Sequence, residues 1–242
     1  MADIVRSVRA IVYVDGFNFY YSIRRTPYRW VDPLALSTLL FPALEIQKVK
    51  YFSAKVKPQP DDPDARNRQA VYFRALRTLE PRLEIFEGHL LRKKNRMALV
   101  WPDDERWRRW MLALALGDRS VLEAGTPKVR VWRTEEKGSD VNLASHLIAD
   151  AHEDDFDVAA VLSNDGDLEF PLRFVREKLG KQVILFNAAP FRHERLAPNG
   201  AAGSSYKRIR HGVLSASQFP TKMTDSRGAF HRPPGWEAPK KR

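Results

Sequence analysis

The chain contains no cysteine. That absence removes disulfides, thiolate zinc sites and a cysteine nucleophile together. Histidine is scarce too, at six in 242 residues, so imidazole ligands are few. No apolar run approaches the ~18 residues of a membrane-crossing helix. The opening stretch "MADIVRSVRAIVYVDG" has neither the apolar core nor the small-residue cleavage site of a secretory signal, so a cytoplasmic location is the expectation. There is no G-x-G-x-x-G and no Walker A sequence. No G-x-S-x-G occurs either, which argues against a serine hydrolase. Internal repeats are absent.

Acidic residues are outnumbered, 30 against 41 Lys and Arg, for a formal net charge of +11. The excess is concentrated. Residues 191 to 242 hold 11 Lys/Arg and 3 Asp/Glu, and the remainder is near balance. A concentrated basic segment favours a polyanionic partner, because cations that neutralise phosphates release counterions. The alternative is general solubility.

A hydrophobic fraction of 43% suits one globular α/β domain with additions. Ile11 to Val14 is a β-branched run that reads as a buried strand ending at Asp15. Phe17 to Arg25 reads as helical. "DPLALSTLL" has an N-cap aspartate and proline at the first helical position. A second strand is expected over 46–56 and a helix over "ARNRQAVYFRALRTL". "RLEIFEGHLLRKK" and "RMALVWP" read as two strands joined by a basic turn, Lys93-Lys94-Asn95. "RWRRWMLALAL" reads as a helix over the core or an insertion. Then come a strand (128–132), the helix "SDVNLASHLIADAH", the strand "DVAAVLS", the helix "DLEFPLRFVREKL" and the strand "KQVILF". Strands alternating with helices predict a mainly parallel sheet covered on both faces. Residues 1–190 form the expected domain. Residues 191–242 are expected as a basic, partly irregular extension ending in a tail.

"SNDGDLEF" places Asp165 and Asp167 just past an apolar run. In open α/β sheets, sites form beyond the carboxyl ends of parallel strands. Asp15 ends the first strand, and Asp140 opens the helix after "RTEEKGS". If those strands are neighbours, four carboxylates converge. Such a cluster repels itself unless a cation neutralises it or some groups take up protons. All-oxygen ligands select a hard ion, Mg²⁺ or Mn²⁺. Gly166 would let the backbone bend around it. The competing reading of Asp140 and Asp167 is a helix cap, and of Asp15 a turn residue. The aromatics of "FNFYY" read as core, with base stacking as the alternative. His146 reads as a partly buried packing residue rather than a ligand.

Three blocks resemble the NYN domain family of the PIN-like nuclease superfamily: "IVYVDGFNFYYS", "EEKGSDVNLASHLIADA" and "VAAVLSNDGDLEFPLRFVREKLGKQVILF". The resemblance runs over about residues 8 to 187 in order. It implies a PIN-like α/β/α sandwich with a central, mainly parallel sheet and metal-dependent cleavage of RNA. By position, Asp15 and Asn18 match the family's D-x-x-N, Asp140 its K-G-x-D, and Asp165 and Asp167 its S-x-D-x-D. The acids would hold Mg²⁺ or Mn²⁺, and Asn18 would orient a carboxylate or contact the scissile phosphate. Lys137, Arg92, Lys93, Lys94, Lys207, Arg208 and Arg210 are the expected contacts to the RNA backbone. PIN-like domains often pair, so a homodimer is a further expectation. Two departures stand out. His146 occupies a position where many relatives carry aspartate, and the phenylalanine of "SNDGDLEF" comes two residues late. A catalytically weak RNA-binding module is one alternative. Some members of the nearest-looking group are described as hydroxylases of a succinoylpyridine, which is another.

Overall fold

The computed structural model describes residues 7–58, 62–98, 113–115, 117, 128–189, 193, 196 and 205–237. The chain divides into two units, Met1–His89 with Lys137–Arg242, and Leu90–Glu136. In the larger unit six strands lie in the order β3-β2-β1-β5-β6-β7. They are β1 (Val8–Asp15), β2 (Leu44–Ala54), β3 (Leu83–Ala98), β5 (Val158–Leu162), β6 (Gln182–Asn187) and β7 (Ser205–Arg208). Every pairing among them is parallel.

Strict alternation along β1 explains why both faces are covered. Ala10, Val12 and Val14 enter one apolar cluster, and Ile11 and Tyr13 enter the other. The first cluster is completed by α1 (Gly16–Ile23), α2 (Pro33–Leu40), α3 (Ala65–Arg77) and α6 (His211–Ala216) through Phe19, Leu36, Tyr72 and Leu214. The second is completed by α4 (Ser139–His152) and α5 (Glu169–Glu177) through Leu143, Leu147, Leu172 and Val175. The result is the expected mixed α/β architecture, a mostly parallel sheet between helical layers.

Chain order fixes where a site can form. From β1 the chain steps outward to β2 and β3, then returns to β1's other side for β5, β6 and β7. The reversal lies between β1 and β5. In open α/β sheets a site forms beyond the carboxyl ends of the strands at such a reversal.

Two expectations are corrected. The basic turn at Lys93-Lys94-Asn95 does not exist, because β3 runs unbroken through it to Ala98. No glycine or proline interrupts "LRKKNRMA", so nothing forces a reversal. In the smaller unit the part of β3 from Leu90 on lies beside β4 (Lys128–Lys137). The stretch beginning at Arg227, expected as a tail, is ordered to Glu237. It builds β9 (Gly228–His231), antiparallel to β8 (Lys222–Asp225). Arg74 of α3 holds that hairpin through Asp225 at 2.6 and 2.7 Å and the Gly228 carbonyl at 2.7 Å. Residues 205–237 also supply the edge strand β7 and core residues Phe219, Phe230 and Trp236. The "RWRRWMLALAL" expectation falls largely outside the described residues.

Candidate acidic site

Asp15 closes β1 and is 5% exposed. Its Oδ1 accepts from the Asn18 backbone N–H at 3.0 Å, capping α1. Its Oδ2 accepts from the Ser163 hydroxyl at 2.9 Å. Burial pushes the carboxyl up to about 6, the Asn18 and Ser163 hydrogen bonds oppose that, and the charges of Asp140 and Asp165 add to it. The helix that starts here approaches β2 closely. A Cβ on Gly16 would stand 2.6 Å from the Tyr51 ring and 2.8 Å from the Phe52 carbonyl. Gly16→Ala is therefore expected to cost about 1–3 kcal/mol in a denaturant titration. A loss under about 0.5 kcal/mol would show that α1 shifts freely.

Past β5, Ser163 is 1% exposed and works in both directions. It donates to Asp15 and accepts from the Asp165 N–H at 3.1 Å. Asp165 then caps the following 3₁₀ turn, its Oδ1 accepting from the Asp167 N–H at 3.0 Å. Asn18 Oδ1 accepts from the Asn164 N–H at 3.0 Å, and Asn164 Oδ1 accepts from the His193 N–H at 2.8 Å. So the Asn18 side chain holds the β5 loop by the Asn164 backbone N–H, while its own backbone N–H donates to the Asp15 carboxylate. Gly166 has a role different from the expected bend. A Cβ there would meet the His193 ring at 2.5 Å, so glycine gives that imidazole its seat.

Asp140 arrives from α4. Gly138 takes φ 97° at the helix N-cap, a conformation that costs other residues roughly 1–2 kcal/mol. The chain at Lys137 and Ser139 passes so near Gly88 that a Cβ there would stand 2.8 Å from the Lys137 carbonyl. Asp140 lies in the first helical turn, where a negative charge is favourable. Its carboxyl is raised, first by burial and then by Asp165 and Asp167. The acids' charges link Asp15 with Asp140 and Asp165, and Asp140 with Asp165 and Asp167, across three chain segments. The capping alternatives do not hold where they were expected: Asp15 and Asp165 are the caps, while Asp140 and Asp167 lie inside first turns. Among the described residues no three His, Asp or Glu side chains stand ready-arranged to hold a metal ion.

His146 packs 4.2 Å from Phe86 and 5.6 Å from Phe52, centroid to centroid. Burial and then the Lys50 charge lower its pKa, against Asp150 and Glu84. Its role is packing, as expected. Of "FNFYY", Phe19 alone is buried; Phe17 and Tyr20 are half-buried and Tyr21 is 56% exposed.

The expected backbone contacts lie in different settings. Lys137 is exposed at the end of β4. Arg208 ends β7, at the same carboxyl edge as Asp15, and Arg210 follows; both are exposed. Three strand spacings separate β7 from β1, about 14 Å. Lys207 differs: its ammonium donates to the Leu40 carbonyl at the end of α2 and lies 5.1 Å from the Phe41 ring centroid. In the smaller unit, Arg92 and Lys94 sit 4.4 and 4.9 Å from the Trp132 ring. Strand alternation puts those two on one face and Lys93 on the other. Trp132, 56% exposed, was not foreseen; an aromatic in a strand next to a basic strand was the available signal. Ser163, Asn164 and His193 were missed as well, and only the serine lay in a recognised motif.

The family model of the NYN domain matches residues 89–199, and NYN belongs to the PIN-like superfamily. The 6-hydroxy-3-succinoylpyridine 3-monooxygenase of Pseudomonas putida is 28% identical over 250 residues, spanning 95% of this chain and 75% of that protein. A crystal structure of a protein of unknown function from Vibrio parahaemolyticus aligns with a TM-score of 0.49 and 18% identity, over 85% of this chain and 94% of that one. No described helix is long and apolar enough to cross a membrane.

Proposed function

We propose that this chain, which carries an NYN domain of the PIN-like superfamily, is a metal-dependent ribonuclease working at the crevice between β1 and β5. The observation that supports this most is the raised carboxyls of Asp15 and Asp140, lifted first by burial and further by the charges of Asp165 and the other acids. The donor chemistry fits a hard divalent ion, since every candidate ligand is a carboxylate and the repulsion is what a cation relieves. Those four acids would hold Mg²⁺ or Mn²⁺, ions that also keep several waters. When bound, the ion supplies Lewis-acid stabilisation of charge on a phosphoryl oxygen.

The chain's own residues do the rest. Ser163 and Asn18 fix the Asp165 loop against Asp15. Water attacks the phosphorus, one P–O ester bond breaks, and the leaving strand end takes a proton. Lys137, Arg208 and Arg210 would hold the strand's phosphates. Arg92 and Lys94 with Trp132 would form a second basic and aromatic surface suited to single-stranded RNA, with Lys93 on the opposite face of the strand. Trp132→Ala is expected to weaken RNA binding by about 1–3 kcal/mol in a fluorescence titration; unchanged affinity would remove this surface from the reading.

The decisive assay is cleavage of labelled RNA with Mn²⁺, with EDTA, and in Asp165→Asn. Loss of several kcal/mol of transition-state stabilisation corresponds to a rate drop of at least about 100-fold. Cleavage surviving both EDTA and the substitution would reject the metal mechanism. Salt-sensitive binding without turnover would identify an RNA-binding module instead. A second reading, hydroxylation of a substituted pyridine, draws on the 28% identical relative. It predicts a flavin absorption band or NADH consumption in the pure protein.

A further inference from the structure

A cleft of about 250 Å³ opens between α1, the end of β2, the start of α3 and Trp236. It begins at Gly16, the residue next to Asp15, so it borders the acidic crevice without sharing its carboxylates. Its walls are aromatic. Phe17 and Tyr21 stack with centroids 6.4 Å apart, Tyr20 stands 6.3 Å from Trp236, and Tyr72 stands 5.8 Å from Trp236. The first pair is stacked, the second tilted and the third edge-on, at the spacings of ring-on-ring packing.

Its charge is positive. Arg24, Arg29 and Lys57 line it, and none of the three has a carboxylate partner among the described residues. The one acid in the lining, Asp62, is engaged by Arg68. Arg24 lies 5.0 Å over the Tyr21 ring and Arg29 5.7 Å over Trp236. Among the described residues, two buried donors of the lining side chains have no acceptor, the Arg29 Nε–H and the indole N–H of Trp236, which is 4% exposed. The volume sits below the roughly 300–1,000 Å³ of drug-sized sites, which suits one ring system with a small polar group.

We propose that this cleft binds a planar aromatic anion, its ring packed among Phe17, Tyr20, Tyr21 and Trp236 and its charge met by Arg24, Arg29 and Lys57. The chemistry has two sources, a nucleotide of a nucleic-acid strand or a free heteroaromatic carboxylate. The proposal stands on the cleft alone and holds whether or not the acidic crevice cleaves RNA.

The test is a calorimetric titration of the full chain in EDTA, which keeps the acidic crevice free of metal. The probes are adenosine 5′-monophosphate, uridine 5′-monophosphate and pyridine-3-carboxylate, with ribose 5-phosphate and adenosine as controls lacking the ring or the charge. At least one probe is expected to bind ten-fold more tightly than either control. Arg24→Ala with Lys57→Ala, both exposed, is expected to weaken it at least ten-fold, while Lys222→Ala leaves it unchanged. Tighter binding of a nucleotide assigns the strand as the source, and tighter binding of the pyridine acid assigns the free carboxylate. No saturable binding of any probe, equal binding of ribose 5-phosphate, or full affinity in the Arg24/Lys57 variant would overturn the proposal. Cleavage of RNA by that variant at a normal rate leaves the nuclease reading intact, so the two ideas fail separately.

Discussion

Asp150→Ala is expected to cost roughly 3–5 kcal/mol of folding stability, the figure for removing one partner of a buried ion pair. Asp150 is 5% exposed and Lys50 8%. The Lys50 ammonium reaches both Asp150 oxygens, at 2.8 and 2.7 Å. The Tyr13 hydroxyl donates to Oδ2 at 2.6 Å, and burial followed by the Asp150 hydrogen bond raises that phenol far above its ordinary value. Truncating the aspartate strands an ammonium and a hydroxyl among Phe52, Phe156 and Leu147. The network joins β1, β2 and α4, and α4 carries Asp140 at its other end. Urea titration followed by circular dichroism would measure the loss. Lys50→Met combined with Asp150→Leu is expected to recover most of it, because no charge is then left unpaired. A single-variant loss under about 1 kcal/mol would mean that water reaches the pair.

Asp15→Asn is expected to separate stability from activity. At neutral pH the wild-type carboxyl is ionised in a site whose burial holds its pKa at about 6, against about 3.9 in the unfolded chain. A raised acid favours folding fully below about pH 4, and that advantage disappears as pH climbs through 6. Above pH 6 the cost approaches about 3 kcal/mol at most, at 1.36 kcal/mol per unit. The amide carries no charge and still offers an oxygen to the Asn18 N–H. The variant should therefore melt higher at pH 7 to 8, by about 1–3 kcal/mol, and converge with the wild type near pH 4. Under the proposed function it should also lose RNA cleavage by at least about 100-fold. Mn²⁺ should raise the melting temperature of the wild type by mass action and leave the variant nearly unmoved. A variant less stable than wild type at pH 7 would show that the Ser163 contact outweighs the buried charge. An equal Mn²⁺ shift in both proteins would place the ion elsewhere.

Legibility in the sequence followed distance along the chain. The runs at 11–14 and 158–162 announced buried strands because both faces of a parallel sheet demand apolar residues. Asp15, Asp140 and Asp165 were readable because each follows or opens an element whose end has its own signature. The continuity of β3 was not readable, since a basic stretch resembles a turn until a neighbouring strand pairs with it. Which aspartates act as caps was not readable either, because a cap depends on where the first turn begins, to a single residue.

The sequence by itself determined the alternation of strands and helices, the acids at the strand ends, and the absence of any thiolate metal ligand, because these are set by residue type and local spacing. Tertiary structure alone decided that Ser163 bridges Asp15 and the Asp165 loop, that Lys50 and Asp150 meet across a hundred residues, and that Trp236 walls a cleft begun by Gly16. Those contacts join segments with no local preference for one another. They form because folding the two apolar clusters leaves these polar and aromatic groups no other partner within reach.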